Sequence, residues 1–168
     1  MTDPANRNDP ADPADRNDPT GRDDRNDPTD RDDDTIAGIL AETRRIAVVG
    51  ASANPSRPSH RVMKSLLDAG YEVVPVNPNA ATVHGIEALD SLDDLTEPVD
   101  LVDVFRRAEA APDVARAAAR IGARALWLQQ GLRSEEARRL ATDAGLRYVE
   151  DQCLAVVVDR ARHRHDPA

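Results

Sequence analysis

Five short apolar runs alternate with amphipathic stretches, and this alternation constrains the chain more than any other feature. The runs are R-I-A-V-V at Arg45 to Val49, E-V-V-P-V at Glu72 to Val76, V-D-L-V-D-V-F at Val99 to Phe105, R-A-L-W-L at Arg124 to Leu128 and L-R-Y-V at Leu146 to Val149. Each is too short for a helix and rich in residues that fill a pleated, buried surface, which is the βαβ pattern of a parallel sheet. Ile36, Ile39 and Leu40 predict an entry helix over Thr35 to Thr43. Val62 with Leu66 and Met63 with Leu67 predict a helix over Ser59 to Ala69, ended by Gly70. Ser91 to Leu95 reads as one short helical turn. Val114, Ala118 and Ile121 mark a helix over Ala108 to Ile121 closed by Gly122, and Ser134 opens another that stops at Gly145. The last element is ambiguous, since Leu154, Val157, Val158 and Ala161 have helical spacing while the run Val156 to Val158 also suits a strand. Helix is preferred because Asp151 stands where a cap is needed.

The expected fold class is therefore α/β, a doubly wound five-stranded parallel sheet, Rossmann-like, in the order 3-2-1-4-5. Right-handed crossovers allow that order, and ligands in such sheets bind beyond the carboxyl ends of the strands, where the winding reverses between strands one and four.

Ahead of this domain lies a segment of another kind. Residues 1 to 34 carry 12 Asp, no Glu and 5 Arg, with R-N-D-P repeated at 7 to 10, 16 to 19 and 25 to 28. Their only apolar side chains are Met1, Ala5, Ala11 and Ala14. Such a stretch cannot bury enough surface to offset its ordering entropy, so a disordered acidic arm is expected over 1–34, with one domain over 35–163 and a polar tail over 164–168. Nearly all of the formal net charge of −9 sits in the arm. The domain has no basic stripe for a nucleic-acid backbone. No run approaches the roughly 20 apolar residues of a membrane span, and the start lacks the regions of a secretory signal. A cytoplasmic protein with no nucleic-acid or membrane partner is expected, its protein partner unknown. The lone cysteine, Cys153, excludes an intrachain disulfide, and no Cys/His spacing suggests a metal.

The strand ends carry the chemistry. The first runs into G-A-S-A-N-P-S-R-P-S, where Gly50, Ala51 and Ser52 let a ligand approach the backbone and the next helix N-terminus offers partial positive charge. It is not the dinucleotide fingerprint, because Ser52 and Pro55 stand where glycines belong. The second ends at Asn77 and Pro78, without the acidic residue that receives a ribose in NAD enzymes, and Arg57 suits a phosphate better. The third ends with Phe105 as an apolar or stacking surface and Arg106 or Arg107 as an anion contact. The fourth places the amides of Gln129 and Gln130 on the same rim. An enzyme is not expected: His60, His84, His163 and His165 pair with no nucleophile, and Asp100 and Asp103 form no acid/base pair. Cys153 is the one reactive candidate, since a helix capped by Asp151 would hold it in the first turn, where a thiolate is favoured. The alternative for Cys153 is a buried small side chain. Trp127 reads as core.

The stretches A-V-V-G-A-S-A-N-P-S-R-P-S, V-V-P-V-N-P, V-D-L-V-D-V-F-R-R, W-L-Q-Q-G and D-Q-C, in this order over Ile46 to Arg162, resemble the small bacterial CoA-binding proteins of the succinyl-CoA synthetase alpha-type fold. The resemblance implies coenzyme A as the ligand. Gly50, Ala51, Ser52, Asn54 and Arg57 would approach its phosphates. Val76, Asn77 and Pro78 would flank the nucleotide, and Val104, Phe105 and Arg106 would border the pantetheine side. Gln129 and Cys153 complete the expected binding set. Members of the family often carry lysine two places after the final cysteine, where Ala155 stands here. The larger synthetase needs a phosphorylated histidine domain and a partner subunit, neither of which is present in these 168 residues, so binding of CoA or acyl-CoA without turnover is expected. An NAD(P)-binding oxidoreductase or sensor, and an interaction module with no ligand, are the alternatives.

Overall fold

A computed structural model describes residues 28–165 of the chain. The expected disorder of residues 1–27, and the last three residues of the expected tail, lie outside the described residues. Helix α1 (Pro28–Glu42) leads into strand β1 (Arg45–Val49), followed by α2 (Pro58–Asp68) and β2 (Glu72–Val76). A short hairpin, β3 (Thr82–Val83) and β4 (Ile86–Glu87), and a 3-10 turn at Leu92–Asp94 precede β5 (Leu101–Val104). Then come α3 (Ala111–Arg120), β6 (Ala125–Leu128), α4 (Glu135–Asp143), β7 (Arg147–Val149) and α5 (Leu154–Arg164).

All five predicted strands are present in one parallel sheet, ordered β2-β1-β5-β6-β7. Counting only these strands, the order is 2-1-3-4-5, which corrects the expected 3-2-1-4-5. Both orders satisfy right-handed crossovers, so handedness does not separate them. Burial and proline do. Every residue of β5 is buried on both faces, as a central strand requires. Strand β2 carries exposed Glu72 and also Pro75, which has no N–H and is tolerated only at a sheet edge. The winding therefore reverses between β1 and β5, not between the first and fourth strands.

Side chains of alternating parity build a core on each face. Ile46, Val48, Leu101 and Trp127 meet Met63 and Leu66 of α2, Leu154 and Val158 of α5 and Ile36 and Ile39 of α1. Ala47, Val102, Leu126 and Leu128 meet Ala115 and Ala118 of α3 and Ala137 and Ala141 of α4. Trp127 is core as expected, with its Nε1–H donated to the Gln152 carbonyl at 2.7 Å.

Two termini differ from the sequence reading. Helix α1 starts at Pro28, seven residues before the expected Thr35, so part of the stretch assigned to the arm is helical. Asp32, Asp33 and Asp34, assigned to the arm from their charge, thus lie within this helix, exposed to solvent. At the other end α5 is a helix, yet Asp151 does not cap it. Asp151 adopts a left-handed φ of 57° and its carboxylate accepts from the Gly131 N–H at 2.7 Å and from Arg133 at 2.6 Å. These two contacts, the Gly131 amide first, hold its pKa below the usual carboxylate range. The cap position belongs to Cys153, one residue ahead of the first turn in which it was expected. Among the described residues no helix is long and apolar enough to cross a membrane, and no group of three or more His, Cys, Asp or Glu is placed to hold a metal ion.

Candidate functional site

The reversal point joins the tips of β1 and β5. Phe105 donates its N–H to the Val49 carbonyl at 2.8 Å, and Gly50 donates to the Val76 carbonyl at 2.9 Å, so the three strand tips are tied together. Gly50 turns out of β1 with φ of 87°, and a Cβ there would stand 2.8 Å from the Phe105 carbonyl oxygen. Both the turn and the close approach require glycine.

Beyond Gly50 the loop is held from within. Asn54 accepts at Oδ1 from the Ser56 N–H at 3.0 Å and the Ser56 hydroxyl at 2.8 Å, while Ser52 Oγ accepts from the Asn54 N–H at 3.1 Å. Asn77, at the tip of β2, donates Nδ2–H to the Ala51 carbonyl at 2.7 Å. In a trans peptide the carbonyl and the following N–H point opposite ways, so fastening the Ala51 carbonyl to Asn77 aims the Ser52 N–H away from it. The N–H groups of Ser52 and Ala53 donate to no group among the described residues. Helix α2 follows with Pro58 in its first turn and Arg57 as its N-cap, without a side-chain cap bond. Unclaimed N–H groups and the positive end of a helix together form a cradle with the kind of donors an anion would need.

Exposed Arg57 and Arg106 flank this cradle, and neither has an ion-pair partner among the described residues. On the α3 side a cleft at the strand tips is lined by Val49, Val76, Leu92, Arg106 and Val114. Pro78 is exposed and Phe105 half-buried beside these groups, whereas Val104 and Ala51 are fully buried, so they shape the floor rather than a surface.

Gln129 differs from expectation. Its amide is not on the rim but 5 % exposed beneath it, donating Nε2–H to Asp103 at 2.6 Å. Asp103 is wholly buried. Its second oxygen has no hydrogen-bond partner, and burial pushes its carboxyl up to about 7 against the partial relief of the Gln129 bond. The exposed position falls to Gln130. Asp100 sits at the far end of β5, accepting from the N–H groups of Arg44 and Arg45, so the two aspartates face no common substrate. Cys153 is half-buried against the core face shared by α5.

His60 has a task that sequence reasoning missed. It is half-buried in the first turn of α2, with Nδ1 2.9 Å from the Ser52 carbonyl, and His84 stacks on it from the hairpin. A position two residues after the proline that opens α2 was the available signal, because first-turn side chains reach back to the preceding loop.

Known proteins resemble this chain to different extents. The chain is 44 % identical over 121 residues to the uncharacterized protein YneT of Bacillus subtilis strain 168, covering 72 % of this chain and 90 % of that one. A Thermus thermophilus protein of known structure is 40 % identical with a TM-score of 0.72, over 76 % of this chain and 97 % of its own. The dinucleotide forming acetyl-coenzyme A synthetase 1 of Ca. Korarchaeum cryptofilum is similar over a quarter of its length, with 26 % identity and a TM-score of 0.56 over 62 % of this chain. A family model described as a CoA binding domain matches residues 44–159, from the approach to β1 to the middle of α5. With the match spanning every strand of the sheet, the chain belongs to the CoA binding domain family.

Proposed function

We propose that this protein binds coenzyme A, free or acylated, at the carboxyl edge of the sheet and does not transform it. The observation that carries the reading is the pair of unclaimed N–H groups at Ser52 and Ala53, set against the open N-terminus of α2 at the reversal point of the sheet. These donors suit phosphate oxygens, and Arg57 and Arg106 add charge that a pyrophosphate or a ribose phosphate would meet. In the cleft on the α3 side, the Val49, Val76 and Val114 side chains suit the less polar parts of the ligand, while Asp90, Asp113 and Arg106 make part of its lining polar. Coenzyme A would bring its own thiol, or the acyl group already on it, as the reactive end. The family match and the likeness to an acetyl-coenzyme A synthetase support this choice of ligand over a nicotinamide dinucleotide.

Binding without turnover rests on the histidines. Among the described residues, the ring hydrogen bonds of His60, His84, His163 and His165 go to backbone carbonyls, and none of these rings is engaged with a hydroxyl or thiol that it could activate. Asp103, the carboxyl shifted toward neutrality, is sealed from solvent.

Calorimetric titration of the full chain with CoA, acetyl-CoA, NAD and NADP tests the proposal. Saturable binding of CoA or acetyl-CoA, tighter than either dinucleotide and with the ligand recovered unchanged, is expected. Tighter binding of NAD or NADP overturns it in favour of an oxidoreductase or sensor, and no binding at all leaves an interaction module.

A further inference from the structure

The hairpin Thr82–Glu87 lies outside the expected βαβ plan, yet it touches the first turn of α2, the helix that follows the cradle loop. Its two strands pair Val83 with Ile86, and the turn residues His84 and Gly85 have φ of 51° and 76°. Two residues in left-handed conformation fit a tight two-residue hairpin turn, in which histidine is tolerated less easily than glycine or asparagine. Val83, 1 % exposed, packs into the core face shared with α2 and fixes the hairpin from below. From that anchored turn the His84 ring lies on His60, with centroids 3.9 Å apart and planes inclined by 37°. His84 Nε2 stands 2.8 Å from the His60 carbonyl, and His60 Nδ1 stands 2.9 Å from the Ser52 carbonyl. A carbonyl oxygen only accepts, so both ring nitrogens carry hydrogen, and the tautomer of each neutral imidazole follows.

The chain of contacts ends on the peptide that matters. Fastening the Ser52 carbonyl to His60 aims the Ala53 N–H the opposite way. Asn77 does the same for the peptide before it, through the Ala51 carbonyl. The Ser52 and Ala53 donors are thus aimed by two separate anchors. The anchor at Ala53 depends on a stacked ring from a left-handed residue that local backbone preference does not favour.

We propose that the His84 hairpin is a strap that positions the phosphate cradle through His60, making His84 a positioning residue for the site. The proposal deepens the CoA reading and rests on it for the identity of the ligand. Its mechanical part, the fixing of the Ser52–Ala53 peptide, has a readout of its own.

The test compares the full-length wild type with His84→Gly and His84→Asn. Glycine suits the left-handed turn, so His84→Gly removes the stack and the hydrogen bond without weakening the turn. Backbone ¹⁵N relaxation without ligand is the first measurement. Order parameters at Ser52 and Ala53 should stand near ~0.85 in the wild type and fall toward ~0.6 in His84→Gly, on the usual scale of rigid and flexible backbone. His84→Asn, which tolerates the turn and keeps an N–H donor, should recover part of the loss. CoA titration is the second measurement, with affinity about three- to tenfold weaker in His84→Gly, the range expected for one neutral hydrogen bond. Unchanged order parameters at Ser52 and Ala53 overturn the strap. Loosened peptides with unchanged CoA affinity overturn His84 as a positioning residue. If the wild type binds no CoA while the peptides loosen, the strap stands and the ligand reading falls.

Discussion

Asp103 and Gln129 share a 2.6 Å hydrogen bond beneath the carboxyl edge of the sheet, one from β5 and the other just past β6, and neither reaches solvent to a useful degree. The bond satisfies one carboxyl oxygen and leaves the other without a partner. A buried carboxylate in that state opposes folding unless it takes a proton.

The first prediction follows from the sign of this shift. The folded state holds the Asp103 proton up to about 7, well above the 3.8 of an unperturbed aspartate. Asp103 therefore favours folding fully only below the unfolded value, and its contribution is lost as pH rises to about 7, after which it is level. Asp103→Asn removes the titration. Its melting temperature relative to wild type should climb between pH 4 and pH 8, by the equivalent of a few kcal/mol at roughly 1.4 kcal/mol per pH unit. Parallel melting curves across that range would show that Asp103 does not titrate with folding.

Gly50→Ala should damage both stability and binding. A left-handed φ costs a side-chain-bearing residue about 1–2 kcal/mol, and the methyl would press on the Phe105 carbonyl from 2.8 Å. Urea denaturation should register a loss of about 2 kcal/mol or more, because the clash is with backbone rather than with a movable side chain. Wild-type stability in this variant would mean that the β1 and β5 tips separate easily.

Arg57 and Arg106 can be told apart by pairing each variant with a trimmed ligand. A charge-assisted hydrogen bond is worth about 1.5–3 kcal/mol, or about ten- to a hundredfold in affinity. The arginine that meets the 3′-phosphate should lose that factor toward CoA on substitution by alanine, and lose nothing further toward dephospho-CoA. If both variants weaken the two ligands equally, neither arginine reads the 3′-phosphate.

Deletion at the N-terminus should have a sharp boundary. Residues 1–27 hold only four apolar side chains, so removing them should shift the melting temperature very little and leave CoA titration unchanged. Removing residues 1–34 instead cuts away the first half of α1, whose Ile36 and Ile39 are buried against the core. That longer deletion should lower the melting temperature by several degrees. Equal behaviour of the two truncations would show that the early turns of α1 contribute nothing.

Most of the sheet was legible because its central strands are buried on two faces and read as near-continuous apolar runs, with helix faces marked by spaced apolar residues. The strand order was misread as 3-2-1-4-5, although Pro75 in the second run bore on it by placing that strand at an edge. The turn out of β1 at Gly50 was legible because small residues there mark a close approach of backbone, which the Phe105 carbonyl makes. What escaped was the two-dimensional wiring: Gln129 turned inward to Asp103, Asp151 drawn away from α5 to Gly131 and Arg133, and His84 set on His60 across 24 residues of sequence. Such contacts depend on which elements lie side by side, and one-dimensional spacing carries no record of that.

The proline in β2 bears on how copies of this protein meet. Pro75 has no N–H to offer, its carbonyl already accepts from Leu89, and the Leu89 carbonyl takes the N–H of Asn77. Little more than Glu72 to Val74 remains for a strand from another molecule, and at the opposite margin β7 is only three residues long. A sheet blunted at both margins resists growing into a continuous ribbon through neighbouring molecules, so any association between copies would fall to helix and loop surfaces instead.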